Sequence, residues 1–270
     1  MAGEHAGAGS AYPRAVRSAP GAATAVPVLL YHDVTDEPGD PYAVDHATFL
    51  RHMRAVAASG RDPLTVDHYA DALAGRAPMP SRPVLVTFDD GYPEFPRAVD
   101  SLARAGVAAA TVYVTTGEAG TPGRVRWADL AALPEWVQVG AHSRTHPQLD
   151  VLPRSRLLDE VAGSRDDVEQ RLARPCTSFA YPHGHHDRSV RSAVVEAGFA
   201  SACGVKNALS HPHDDVFAIA RVTITRTTGD DELAQYLEGT GAPIAWKRER
   251  LRTKGFRYYR RARSRVGAHA

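Results

Sequence analysis

Two adjacent carboxylates, Asp89 and Asp90, follow the apolar run 84–88, and two histidines spaced four residues apart, His142 and His146, occur further along the chain. One carboxylate oxygen and two imidazole nitrogens can hold a catalytic divalent metal while leaving positions for water and substrate. The other aspartate is then available as a base. An Asp-Asp-Gly sequence alone is more typical of a turn, but the paired histidines favour a site. The sequence therefore predicts a metal-dependent hydrolase.

Composition sets the broad class of protein. The chain has 270 residues, of which 43% are hydrophobic, and this is enough for one domain of about 200–250 residues. A net charge of +1 gives no reason to expect a nucleic acid partner. The two cysteines imply no disulfide framework, and no apolar run is long enough for a transmembrane segment.

The chain divides into three regions by composition. Residues 1–25 are rich in Ala, Gly, Ser and Pro and lack the apolar core of a secretory signal, so we expect a flexible leader and a cytoplasmic location. Residues 26–240 form the predicted domain. Residues 241–270 form a basic tail with ten Lys or Arg between Lys247 and Arg265. This tail is either a solvated helix face or a segment that contacts an anionic surface or partner.

Apolar runs alternate with amphipathic segments along the predicted domain. Asp45 is a suitable N-cap for the first helix, and Gly106 is a suitable stop for a later one. Alternation of this kind predicts a parallel α/β fold, and about seven units indicate a barrel in a single domain. The predicted strands are 26–31, 83–88, 107–114, 136–139, 177–181, 199–203 and 219–224.

Polar clusters lie just after four of these strands. They are His32-Asp33, Asp89-Asp90, His142 and Tyr181-Pro182-His183. In parallel α/β barrels, the side chains at the C-terminal ends of the strands converge on one rim. We therefore expect these four clusters to form one site.

Three segments resemble the motifs of the polysaccharide deacetylase family, which is carbohydrate esterase family 4 with its NodB-homology domain. They are Thr87–Tyr92, Gly140–Pro147 and, in altered form, Phe179–Gly184. The resemblance extends from about Val26 to Leu237. It implies a distorted (β/α) barrel, a divalent metal that is commonly zinc, and hydrolytic removal of an acetyl group from an N-acetylated sugar.

The resemblance also implies roles for individual residues. Asp89 corresponds to the catalytic base, and Asp90, His142 and His146 correspond to the metal ligands. The backbone N–H of His183 matches the position of an oxyanion donor, since the preceding proline has none.

Two aromatic residues, Tyr92 and Tyr181, lie near enough to the predicted rim to contact substrate.

The chain departs from the family pattern in two places. The family usually carries a late Leu-x-His motif whose histidine is the general acid, and here Leu30-Tyr31-His32 at the N-terminus is similar to the arrangement of a circularly permuted subgroup. We assign His32 as the general acid. Many members also have an arginine at the position of Ala180 that orients the base, and Arg221 is the best substitute because it lies on the last predicted strand.

Other functions remain open at this stage. One is deacetylation of a small glycosylated metabolite or cell-envelope precursor inside the cell, and another is a non-catalytic carbohydrate-binding module. A glycosidase is disfavoured, because adjacent Asp89 and Asp90 cannot flank a glycosidic bond at the required separation of about 5–9 Å.

Overall fold

The computed structural model describes residues 25–37 and 39–245. The predicted leader, apart from Ala25, and residues 246–270 of the predicted tail lie outside this part of the chain. Ala25 is buried. Residues 243–245 are hydrogen-bonded to Leu209, so the first part of the predicted tail lies against the domain.

A parallel sheet forms the centre of the molecule. Its seven main strands follow the order β7-β6-β5-β4-β3-β1-β8, and β2 pairs with β3. The strands are β1 Val28–Tyr31, β2 Asp62–Leu64, β3 Pro83–Phe88, β4 Ala110–Val114, β5 Val137–Ala141, β6 Ser178–Ala180, β7 Ser201–Cys203 and β8 Val222–Thr223. Every residue of β1, β3 and β4 is buried, as expected for strands covered on both faces.

Helices connect the strands. They are α1 His46–Ala58, α2 Val66–Leu73, α3 Phe95–Ala105, α4 Trp127–Ala131, α5 Arg154–Leu172, α6 Arg188–Glu196 and α7 Asp230–Leu237, with 3-10 turns at Leu149–Val151 and Pro182–Gly184. The side chain of Asp45 accepts a hydrogen bond from the backbone N–H of Thr48 and caps α1. Gly106 ends α3 in the left-handed conformation with φ of 81°. Both predicted helix boundaries are confirmed.

The sheet curls until its ends approach each other. A parallel bridge between Cys203 and Ile219 links β7 to the segment that leads into β8. This pairing replaces the first half of the strand predicted at 219–224. The prediction of a distorted (β/α) barrel in a single domain is confirmed, and the C-terminal ends of its strands meet at one rim. None of the described helices combines the length and apolar character required for a membrane span.

Candidate metal centre and active site

The turn after β3 positions the two carboxylates. The backbone N–H of Asp89 continues the sheet by donating to the carbonyl of Tyr31 at 3.0 Å. Asp90 then adopts φ of 72° and Gly91 φ of 75°, so the chain reverses within two residues. As a result, the side chains of Asp89 and Asp90 both reach the same cleft.

His142 follows β5 and is oriented by its neighbour strand. Its Nδ1 lies 2.8 Å from the carbonyl oxygen of Ala180, and because a carbonyl only accepts, Nδ1 carries the proton. The lone pair is therefore on Nε2, which faces Asp90. Gly140 permits this packing, since a Cβ there would lie 2.7 Å from the Tyr113 ring and 2.8 Å from the carbonyl oxygen of Ser178.

His146 completes a group of three potential ligands. Its Nε2 and that of His142 each lie 3.5 Å from Oδ1 of Asp90. The ligand atoms of the three side chains all lie within 4.8 Å of one another, and this is the one such group of His, Cys, Asp or Glu in the described part of the chain. A carboxylate and two neutral imidazoles at this spacing fit a divalent cation with ligand bonds of about 2.0–2.2 Å.

The electrostatic environment favours the ligand form of both histidines. Burial lowers the pKa of His142 to about 4, although the nearby Asp89 charge opposes this shift. Burial and the adjacent His142 lower the pKa of His146 to about 4 as well. Both imidazoles are therefore neutral near pH 7, which is the state that binds a metal.

Asp89 is bound to Arg221 in a buried, bidentate ion pair. Nη1 and Nη2 of Arg221 donate to Oδ1 and Oδ2 of Asp89, each at 2.7 Å, and both side chains are almost fully buried. Burial alone would raise the pKa of Asp89, but the charge and the hydrogen bonds of Arg221 outweigh this effect and lower the pKa to about 2. Arg221 also donates from Nε to the carbonyl of Gly204 at 3.0 Å, which fixes the plane of the guanidinium.

Backbone strain is concentrated at the same place. The described part of the chain has six non-glycine residues with positive φ, and four of them lie at this site: Asp90, Ser143, His146 and His183. Each such conformation costs on the order of 1–3 kcal/mol and persists where surrounding contacts impose it. One of these contacts is the hydrogen bond from the N–H of His146 to Oγ of Ser143, at 3.0 Å.

A cleft of about 730 Å³ opens over these residues. His32, Tyr92 and His183 line it together with the Asp/His cluster. The His32 ring lies 5.1 Å from the ring of Tyr42, and the His183 ring lies 4.5 Å from that of His146. A second groove, of about 630 Å³, lies between α1 and α3 and contains none of these side chains.

Tyr181 does not belong to the cleft, and its predicted contact with substrate is corrected. Its side chain is fully buried. Its hydroxyl donates to the carbonyl of Phe217 at 3.0 Å, and its ring stacks on His186 with centroids 4.2 Å apart. The side chain at this strand end points into the protein interior, so Tyr181 supports the fold.

Sequence reasoning also missed a part of the cleft wall that lies outside the predicted clusters. Two carboxylates there are Asp40 and Glu232, and Tyr42 is a half-exposed aromatic residue. The rest of this wall is formed by Thr223, Thr225, Thr227, Thr228, Tyr236 and residues 241–243. The four threonines between 223 and 228 were a signal in the sequence, since hydroxyl-rich loops after a strand suit sugar recognition.

Comparisons with known proteins agree with the fold and the cluster. Residues 76–202 match the sequence model of the polysaccharide deacetylase family. The Bacillus subtilis protein YxkH, whose name as a polysaccharide deacetylase is itself provisional, is 21% identical over 215 residues, covering 79% of this chain and 76% of that protein.

Solved structures share the architecture at low sequence identity. The Streptococcus pyogenes deacetylase PplD has a TM-score of 0.74 at 18% identity, covering 80% of this chain and 99% of that chain. IcaB from Ammonifex degensii has a TM-score of 0.70 at 23% identity, covering 81% and 98%. These likenesses concern the fold.

The structure combines a parallel barrel with a carboxylate and two histidines at its rim, a set of ligands that fits a divalent cation. The segment matched by the family model contains both Asp89-Asp90 and the His142/His146 pair. Residues 76–202 therefore carry the polysaccharide deacetylase domain that the resemblance implied. The circular permutation and the individual catalytic roles stay predictions.

Proposed function

We propose that the protein is a metal-dependent N-deacetylase that acts on acetylated amino sugars. The observation that carries this proposal is the combination, in one cleft, of a three-ligand set and a separate carboxylate held by a buried arginine. A non-catalytic sugar-binding module would not need both.

Asp90, His142 and His146 would hold the cation. When bound, a divalent ion such as zinc lowers the pKa of a coordinated water towards about 7 and polarises a carbonyl group. Because Ala180 fixes the tautomer of His142, this ligand is oriented before any ion arrives.

Asp89 would accept the proton of the attacking water. Its pKa of about 2 keeps it ionised at every ordinary pH, and the two bonds from Arg221 leave each carboxylate oxygen with a further lone pair. Arg221 therefore fixes the direction from which the proton is received. General base catalysis of this kind contributes about 10²–10⁴-fold to rate.

His32 would protonate the departing amine, and the backbone N–H of His183 would donate to the developing oxyanion. Both residues line the same cleft as Asp89. An N–H donor in a site shielded from water stabilises an oxyanion because it is already oriented when charge develops.

The cleft favours a neutral substrate over an anionic one. Asp89 is paired with Arg221 and Asp90 would bind the cation, but Asp40 and Glu232 are further carboxylates that line the cleft. The described residues that line it include no Lys or Arg. Its volume of about 730 Å³ lies within the range of about 300–1,000 Å³ for ligand pockets. Uncharged N-acetylated hexosamine oligomers match these properties, while nucleotide-linked or phosphorylated sugars do not.

Acetate release is the direct test. Metal-loaded protein is incubated with neutral N-acetylhexosamine oligomers of one to six units, and with the polymer, and acetate is measured alongside bound metal. We expect release that requires the metal and is lost in Asp89→Asn. Stoichiometric metal without acetate from any of these sugars would contradict the proposal, and sugar binding without turnover would indicate the non-catalytic module. Turnover of the monomer alone would favour the small-metabolite alternative.

A further inference from the structure

A buried carboxylate on α5 holds the loop that separates the two histidine ligands. Glu160 is 1% exposed. Its Oε2 accepts hydrogen bonds from the backbone N–H groups of Arg144 at 2.9 Å and Thr145 at 2.8 Å. Its Oε1 accepts a third bond from the hydroxyl of Thr145 at 2.6 Å. Two consecutive backbone donors between His142 and His146 are thus directed at one side chain.

The same helix face also accommodates the side chain of Arg144. The guanidinium of Arg144 binds Asp167 at 3.0 Å through Nε and Asp159 at 2.8 Å through Nη1. Gly163 leaves room for it, because a Cβ at this position would lie 2.4 Å from the Arg144 Cζ. Glycine in a helix interior is destabilising relative to alanine, so its presence here indicates close packing of the loop on α5.

The other side of the loop is bound to the segment after β4. The N–H of Thr116 donates to the carbonyl of Ser143 at 3.1 Å, and the N–H of Gly117 donates to the carbonyl of Arg144 at 2.9 Å. The loop is therefore held from both sides, and its last residue, His146, is kept in the left-handed conformation with φ of 56°.

We propose that Glu160 is a positioning residue for the metal centre, acting through the backbone of residues 144–145 to hold His146 in its ligand geometry. The proposal rests on the proposed metal site and adds a residue outside the family motifs identified in the sequence. Without the bonds from the backbone N–H groups of residues 144 and 145 to Glu160, the loop would be held from one side only, and more of the order of His146 would have to be gained at the moment of metal binding. Metal affinity would fall as a result.

Hydrogen-bond geometry, and not the negative charge, is the basis of this role. In Glu160→Gln, the amide oxygen can accept both backbone N–H bonds while the amide NH₂ group donates to the Thr145 hydroxyl. In Glu160→Ala, all three bonds are lost. If the negative charge of Glu160 acted on the bound cation, both variants would bind zinc more weakly to the same extent. If Glu160 positions the loop, Glu160→Gln should keep the zinc affinity that Glu160→Ala loses.

The matched control lies on the same helix. Glu169 also accepts a backbone N–H bond, from Cys176 at 3.2 Å, and pairs with Arg165. Neither of these interactions of Glu169 involves the loop at residues 143–146. Glu169→Ala therefore removes a carboxylate acceptor from α5 and measures the purely structural effect of such a loss.

Zinc affinity decides the proposal, measured by competition with a chromophoric chelator on folded, metal-free protein. We expect Glu160→Ala to bind zinc about 10–100-fold more weakly, with Glu160→Gln and Glu169→Ala within about threefold of the wild type. Activity of Glu160→Ala should recover at saturating zinc. Wild-type affinity in Glu160→Ala, or equal losses in the alanine and glutamine variants, would overturn the role of Glu160.

If Glu160→Ala does not fold, Thr145→Val removes only the hydroxyl bond and should weaken zinc binding by about 2–10-fold. Unchanged affinity in that variant would then count against the proposal. Wild-type protein that binds no zinc would instead overturn the proposed metal site, so the two failures are distinguishable.

Discussion

Replacing Arg221 with methionine should remove most of the turnover while leaving substrate binding largely intact. Arg221 does not line the cleft, but it is buried beside Asp89 and donates two hydrogen bonds of 2.7 Å to its carboxylate. Methionine keeps much of the side-chain volume and removes only the charge and the donors. Because Asp89 would no longer be held in one orientation, we expect kcat to fall by about 10²–10⁴-fold and KM to change by less than about threefold.

The stability effect can be worked from the same ion pair. In the folded protein the pKa of Asp89 is lowered from its ordinary value of 3.8 to about 2, and at about 1.36 kcal/mol per unit this corresponds to roughly 2 kcal/mol of stability. Removing Arg221 also leaves the carboxylate buried without its partner, so the total loss should reach about 3–5 kcal/mol.

The pH dependence of this loss has a definite sign. A lowered carboxyl pKa contributes stability that is fully present above about pH 4 and is lost as the pH falls towards 2. The difference in unfolding free energy between the wild type and Arg221→Met, measured by denaturant titration without metal, should therefore shrink as the pH falls below 4.

Arg61→Met is the matched control for this experiment. Arg61 is also a buried arginine, but it donates to the backbone carbonyls of Leu237 and Pro83 at the opposite end of β3. It should destabilise the protein without a selective loss of kcat. Unchanged turnover in a folded Arg221→Met variant, or an equal loss of kcat in Arg61→Met, would refute the reasoning.

Three further outcomes follow from the site. His142→Ala should lose both bound metal and activity, and a normal metal content in this variant would exclude His142 as a ligand. Asp89→Asn should keep near-stoichiometric metal by elemental analysis, while its kcat falls by about 10²–10⁴-fold. Gly140→Ala should lower the unfolding free energy by about 1–3 kcal/mol, because its Cβ would lie 2.7 Å from the Tyr113 ring; an unchanged melting curve would contradict this. Acetate release from uronate-containing oligomers should have a lower kcat/KM than release from neutral oligomers, and Glu232→Gln should make this difference smaller. Equal kcat/KM values for both substrates would show that the carboxylates of the cleft do not select against anionic sugars.

The strands and the rim of the fold were predictable from the sequence because their signals are local. Buried parallel strands give continuous apolar runs such as 83–88, and polar residues directly after them must reach the same rim. The resemblance implied an arginine beside the base, and the position of Arg221 on the last predicted strand made it the best substitute. The side chains of Arg221 and Asp89 are in contact.

The remaining features depend on information that a local pattern does not contain. Tyr181 follows its strand as His142 does, but whether such a side chain points to the rim or to the interior depends on packing. On α5, the structure buries the charged Glu160 beside the apolar Leu157 and Val161. The partners of Glu160 are backbone groups of a distant loop, which no helical periodicity reveals.

Pairing between Leu209 and residues 243–245 bears on how the basic tail can be studied. Leu209 exchanges hydrogen bonds with Pro243 and Ala245, each of 2.9 Å, and residues 241–243 form part of the cleft wall. A shortened chain ending at residue 240 would therefore open that wall as well as remove the cationic segment. A chain that ends at Ala245 lacks only the cationic segment. Any loss of affinity for long sugar chains in that variant would therefore be caused by removal of this segment.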